Sequence, residues 1–194
     1  MPRPRTISDE ALLDAVLALA HRVGPARVTF ATAAAETGLS AATLVQRFGT
    51  KRGLLLAADK RAVDLWVDAL DRSTAASPLA RVVDGLVLAV DAVATPEQMA
   101  NSVAILQLDL ADPDFHAETL RGARAVRARI VRDLDAAFDA GELRSGTDVE
   151  ALAKLVETAY HGAMIGWAIH REHTLAHWMR EQVEAVLAPH RTAS

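Results

Sequence analysis

Apolar residues recur along this chain at helical spacing almost from end to end. Leu12, Val16, Leu19, Ala20 and Val23 fall at i, i+4, i+7, i+8 and i+11, one face of a helix. Ser8 can cap that helix, with Asp9 and Glu10 at its positive end. Gly24-Pro25 stops it, because glycine accepts a left-handed cap and proline cannot continue the ladder. Thr29 is placed to cap a second helix over Phe30–Thr37, and Ser40 a third over Ala41–Phe48. Gly38-Leu39-Ser40 separates the two, which predicts a helix-turn-helix.

Beyond Thr50 the same spacing continues through Leu54, Leu55, Ala58, Ala62, Leu65, Trp66 and Leu70, predicting a fourth helix from 51 to about 73. Ser77-Pro78 opens a fifth to about 94, and Thr95-Pro96 a sixth to about 110. Asp112-Pro113 breaks the sixth, and a seventh runs from about 115 to 140 before the Gly141–Gly146 break. Leu152, Leu155, Val156, Ala159, Tyr160, Ala163, Met164 and Trp167 then define an eighth helix, and Leu175, Trp178, Met179, Gln182, Val183, Val186 and Leu187 a ninth. No alternating strand pattern of useful length and no internal repeat occurs, so the expected fold is all-α with about nine helices.

The stripes on the last two helices are wider than each can cover for the other. Gly162 and Gly166, flanking Ala163, leave a flat strip for close helix approach. These stripes can be plain core; the reading preferred here is a two-fold four-helix interface between protomers through Ala159, Gly162, Ala163, Gly166, Trp178, Val183 and Val186.

Composition narrows the class. The 194 residues are 51% hydrophobic and 24% charged, an ordinary globular balance that excludes a disordered chain. Cysteine is absent, which removes disulfides, thiolate nucleophiles and Cys-ligated zinc. MPRPRTISDE lacks the apolar stretch of a signal peptide, and the near-apolar run 159–169 is too short and polar-interrupted to span a bilayer, so a cytoplasmic location is expected. The net charge of −4 hides a split: residues 1–61 hold nine Lys+Arg against five acids, hence +4, and the remainder is −8. A basic first third on an acidic body suggests a phosphate-facing module.

The segment VTFATAAAETGLSAATLVQRFGTKRGLL, with LLDAVLALAHRVG before it, resembles the DNA-binding domain of the TetR family of transcriptional regulators. Thr29, Ala34-Ala35, Gly38, Ser40, Thr43-Leu44, Phe48, Lys51 and Leu54-Leu55 carry the resemblance, over roughly residues 8–58. It departs from the family pattern at Val45, where members often have an aromatic, at Arg47 (His or aromatic) and at Ala31 (polar or basic).

The residues themselves assign faces. Leu44 and Phe48, four apart, anchor the third helix to the core with Ala41. Ala42, Thr43, Gln46 and Arg47 are left outward, with Val45 at the boundary, on a helix that fits the major groove. Gln46 can bond adenine and Arg47 a guanine edge or phosphate, while Ala42 and Val45 methyls suit thymine. Lys51, at a helix N-terminus, and Thr29, in the analogous place, suit phosphate.

The resemblance implies two domains, 1–50 reading DNA and 51–194 binding a ligand and dimerising, with the helix from 51 bridging them. It implies a homodimeric regulator, a repressor released from a near-palindromic operator by a small effector. The mostly apolar candidate lining points to an apolar or aromatic one. Residues expected to face inward are Leu86, Val90, Met99, Val103, Leu106, Gln107, Phe138, Tyr160, Met164 and Trp167; Met99, Val103, Leu106, Gln107, Tyr160, Met164 and Trp167 are taken as ligand contacts.

No cofactor is expected. His170, His173 and His177 straddle a junction near 172–174, which breaks any common metal-binding face. Asp109, Asp112 and Asp114 fit turn and capping roles. No nucleophile elbow, phosphate loop or H-E-x-x-H occurs, so catalysis is not expected. The alternative is a helical small-molecule-binding dimer that has lost specific DNA binding.

Overall fold

The computed structural model describes residues 7–192, so Arg3 and Arg5 of the basic first third lie outside the described residues. Nine α-helices occur among the described residues, in the all-α order expected: α1 Asp9–Val23, α2 Phe30–Thr37, α3 Ala41–Phe48, α4 Lys51–Asp71, α5 Pro78–Ala89, α6 Pro96–Ala111, α7 Pro113–Asp139, α8 Val149–His170 and α9 Leu175–Leu187. The chain gathers into two compact units, Met1–Leu65 with Glu97–Leu120, and Trp66–Pro96 with Arg121–Ser194.

In the first unit local chemistry sets the boundaries of α1, α2 and α3. The Ser8 hydroxyl accepts from the Ala11 N–H at 3.2 Å, and α1 ends at Gly24, whose φ of 83° a side chain would resist. Thr29 and Thr32 form a reciprocal capping box on α2, and Ser40 accepts from the Thr43 N–H at 3.1 Å on α3. Leu12, Val16, Leu19, Val28, Ala33, Leu44, Leu54 and Ala58 make one buried cluster, with Phe48 and Ile105 packed on it. Asn101 on α6 donates to the His21 carbonyl at 2.7 Å, fastening α6 to the end of α1.

Asp109, on the last turn of α6, is a buried carboxyl with 7% of its surface exposed and no partner for Oδ1. Burial pushes its pKa up to about 6 from 3.8, against a hydrogen bond from Thr119. The folded chain therefore holds this proton where the unfolded chain has released it, and stability falls as pH rises from about 4 to 6. Asp109→Asn is expected to flatten that slope and to raise stability at pH 8 by up to about 3 kcal/mol. Denaturant titrations at pH 4, 6 and 8 measure it; parallel curves for both proteins would refute it.

The second unit packs α5 and α8 against α9, around Val83, Leu86, Ile130, Leu134, Leu152, Val156, Met179 and Leu187. Three of its polar ties are between distant residues. Arg180 reaches Asp84 at 2.6 Å, the Glu142 carboxylate accepts from the Ser77 hydroxyl at 2.7 Å, and Arg127 holds the buried Glu157. The fifth helix stops at Ala89, short of the expected 94, because Val90 and Asp91 turn back on Val87 and Leu88 in tighter i→i+3 bonds. The residue before Pro96 also disfavours helix. Residues Arg171 and His173 take positive φ in the α8–α9 turn, so the three histidines around it do not share one helix face.

Candidate functional site

The outward side of α3 is where the helix-turn-helix arithmetic places it. Leu44 is fully buried and Phe48 half-buried, whereas Ala42, Val45, Gln46 and Arg47 are exposed. Val45 is 45% exposed, so it lies outward rather than at the boundary. Thr43 is half-buried and its hydroxyl shares a 2.8 Å hydrogen bond with Ser40, so it also serves the cap. Arg47 pairs with Asp9 at 2.7 Å, both side chains substantially exposed, a tie that a phosphate can displace cheaply.

A second cationic patch forms at the start of α2. Lys51 crosses from α4 to donate to the Ala26 carbonyl at 2.7 Å, and Arg27 donates to the Val23 carbonyl at 2.5 Å. Thr29, exposed, caps the adjacent N-terminus of α2. The other Lys and Arg of residues 7–61 are held by carboxylates: Arg22 by Glu36, Arg47 by Asp9, Arg52 by Asp112 and Asp114, Lys60 by Glu118 and Arg61 by Asp14. Among those described residues, Arg27 and Lys51 alone are satisfied by neutral carbonyls, which leaves their charge uncompensated at short range. Sequence reasoning passes over Arg27 as a site residue. Its place two residues before the α2 cap is the available signal.

The expected ligand residues divide between the two units. Val103, Leu106 and Gln107 do not face inward: all three are exposed on α6 of the first unit, beside Leu110, along a groove of about 610 Å³. Met99, on the same helix, is buried in that unit and does not line the groove. Phe138 is likewise exposed, and Leu86 and Val90 are fully buried core of the second unit. The helical period explains the misplacement, since residues one position apart differ by about 100° and an apolar residue can fall on either side.

In the second unit Tyr160 and Trp167 are buried and Met164 half-buried. Tyr160 stacks on Trp66 with ring centroids 6.0 Å apart, and His161 lies 5.2 Å from Tyr160 and 6.2 Å from Trp66. Burial pushes the Tyr160 hydroxyl well above its usual range and desolvation lowers the His161 imidazole. Trp66 and His161 complete an aromatic group that the sequence reading locates only at Tyr160.

Ala159, Gly162, Ala163, Gly166, Trp178 and Val186 line one shallow groove of about 400 Å³ on α8 and α9, with His170 stacked on Trp178 at 5.5 Å. Val183 is the exception among the expected interface residues. It is 0% exposed and joins Met179 and Leu187, four residues either side, in the core stripe of α9. The Trp178 indole N–H is buried beneath the groove without an acceptor.

Residues 12–58 match the family model described as bacterial regulatory proteins, tetR family. No curated protein matches the chain. Among solved structures, SmeT, the repressor of the Stenotrophomonas maltophilia multidrug efflux pump SmeDEF, aligns at TM-score 0.72 and 21% identity over 99% of this chain and 94% of its own. A Saccharomonospora viridis protein in complex with choline aligns at 0.76 and 20% over 94% and 96%. The TetR family regulator PfmR of Thermus thermophilus aligns at 0.69 and 18% over 91% and 97%.

Proposed function

We propose that this chain, whose residues 12–58 carry the DNA-binding domain of the TetR family, is a homodimeric transcriptional regulator that reads a near-palindromic operator and is released from it by a small apolar or aromatic effector. The observation that carries the DNA-binding part is the matched pair of surfaces on the first unit. The exposed side of α3 offers Ala42, Thr43, Val45, Gln46 and Arg47 to base edges, and the Arg27–Lys51 patch beside the Thr29-capped α2 end offers charge to phosphate. Residues 1–50 form the reading head in this view, 51–194 the ligand-binding and dimerising part, and the role is binding rather than catalysis.

Repression is supported by fold kinship with SmeT, itself a repressor. Ligand release requires an effector with different affinities for the DNA-competent and incompetent states. The apolar, aromatic surroundings of Trp66, Tyr160 and His161 favour an aromatic effector, and the choline held by the Saccharomonospora viridis protein makes a small organic cation the second class to test. Calorimetric titration with choline and with uncharged aromatics separates those two classes. No described helix is long and apolar enough to cross a membrane, and none is needed for this role.

Selecting bound duplexes from random sequence tests the reading and supplies the operator. Log affinity for that duplex is expected to fall linearly with log salt, and Lys51→Ala to lessen the slope by about 1. A protein with no affinity for any duplex at low salt would leave only the alternative, a helical small-molecule-binding dimer.

A further inference from the structure

Arg52 follows Lys51 in the first turn of α4 and belongs to the basic first third, yet it is turned away from the role its neighbour takes. Its Nε and one Nη donate to the two oxygens of Asp112 at 2.7 and 2.6 Å, and the same Nη donates to Asp114 at 2.6 Å. The guanidinium also sits 5.7 Å from the ring centre of Phe115, which is buried. A lone exposed ion pair contributes little. Here a two-pronged fork, a second carboxylate and a ring face act on one planar group, and that arrangement fixes direction as well as distance.

The carboxylates are themselves anchored. Asp112 Oδ1 accepts from the Asp114 N–H at 3.0 Å at the start of α7, so the guanidinium is held by the α6–α7 corner and not by a mobile side chain. On the other side only Gly49 and Thr50 separate α3 from α4. The first turn of α4 therefore transmits its position directly to the recognition helix.

Resting on the DNA-binding reading above, we propose that Arg52 is a positioning residue rather than a phosphate ligand: the Arg52–Asp112–Asp114 clasp sets the angle at which α3 is presented to the major groove, and so determines operator specificity.

The distinguishing expectation concerns the acids. If Arg52 simply faced phosphate, Asp112 would be a repulsive neighbour, and Asp112→Asn would strengthen binding to every duplex. The clasp requires the opposite for the operator: Asp112→Asn should weaken binding to the selected duplex by about 10-fold, a coupling of ordinary size for directly bonded residues. Affinity for an unrelated duplex should stay level or rise. Arg52→Gln should weaken the operator to a similar degree without lowering the salt slope, and Arg52→Gln with Asp112→Asn should be no worse than either change alone. The full-length variants are compared by fluorescence anisotropy on both duplexes across a salt series, with circular dichroism checking the fold. Asp114→Asn, at an exposed position, gives the same direction at smaller size should Asp112→Asn fail to fold. A salt slope reduced by about 1 in Arg52→Gln, or tighter operator binding in both acid variants, would overturn the clasp. Wild-type protein lacking any sequence preference would instead overturn the DNA-binding reading itself.

Discussion

Gly53→Ala is expected to unseat the recognition helix instead of strengthening the helix that contains it. On propensity alone alanine inside a helix is favoured over glycine by about 1 kcal/mol. The geometry reverses the sign. A Cβ at position 53 would overlap the carbonyl oxygen of Phe48, a backbone atom that no rotamer change can move aside. That carbonyl ends α3 and accepts the Thr50 N–H at 2.7 Å, so relieving the overlap opens the α3–α4 turn. Overpacking of this kind costs about 1–3 kcal/mol, and a clash with backbone falls toward the upper end, above what propensity returns. The displaced group is the last residue of the recognition helix, so operator affinity should fall, by up to about 30-fold, the change that about 2 kcal/mol produces. Affinity for unrelated DNA, set by charge, should hardly move. Thermal melting and anisotropy on both duplexes check it. A Gly53→Ala protein that melts higher and keeps operator affinity would show that the turn yields freely.

Gly53 also marks where sequence reasoning stops. The caps at Ser8, Thr29 and Ser40 and the left-handed Gly38 obey rules that act within three or four residues, so the head can be placed from the sequence alone. The overlap at Gly53 depends on how tightly one particular turn is wound, and glycine in a helix carries no sign of it. Asp112 and Asp114 read as turn residues because their partner, Arg52, is 60 and 62 positions away. Val183 reads as outward and Val103 as inward, both wrongly, because a wide apolar stripe does not say which edge the neighbouring helix covers. Local rules fix element ends; facing across an element is settled only by what packs against it.

The same uncertainty of facing makes Gly162 the sharpest probe of the interface proposed for α8 and α9. A Cβ built at Gly162 meets nothing within 4 Å, so a larger side chain there fits the folded protomer without strain. At Gly166 it would already touch the Trp178 ring at 3.6 Å, which makes that position a less clean test. Exposed Leu155 and Ile169, the latter 71% exposed, lie on the same face of α8, an apolar margin around a flat strip of small residues. If a second copy covers that strip, Gly162→Leu puts a bulky group into the close approach twice, once from each protomer, because a two-fold contact repeats every substitution. At about 1–3 kcal/mol for each insertion, the dimer dissociation constant should rise by about 30-fold at least and by about 10⁴-fold at most. Protomer stability should be unchanged or slightly improved, since leucine is the better helix former. Operator affinity should collapse with the dimer, because two linked heads bind two half-sites far more tightly than either head binds one. Sedimentation velocity at low micromolar concentration reads the first effect and circular dichroism the second. A Gly162→Leu protein that remains dimeric and keeps its operator affinity would place the interface elsewhere on the chain and return the α8–α9 groove to the solvent.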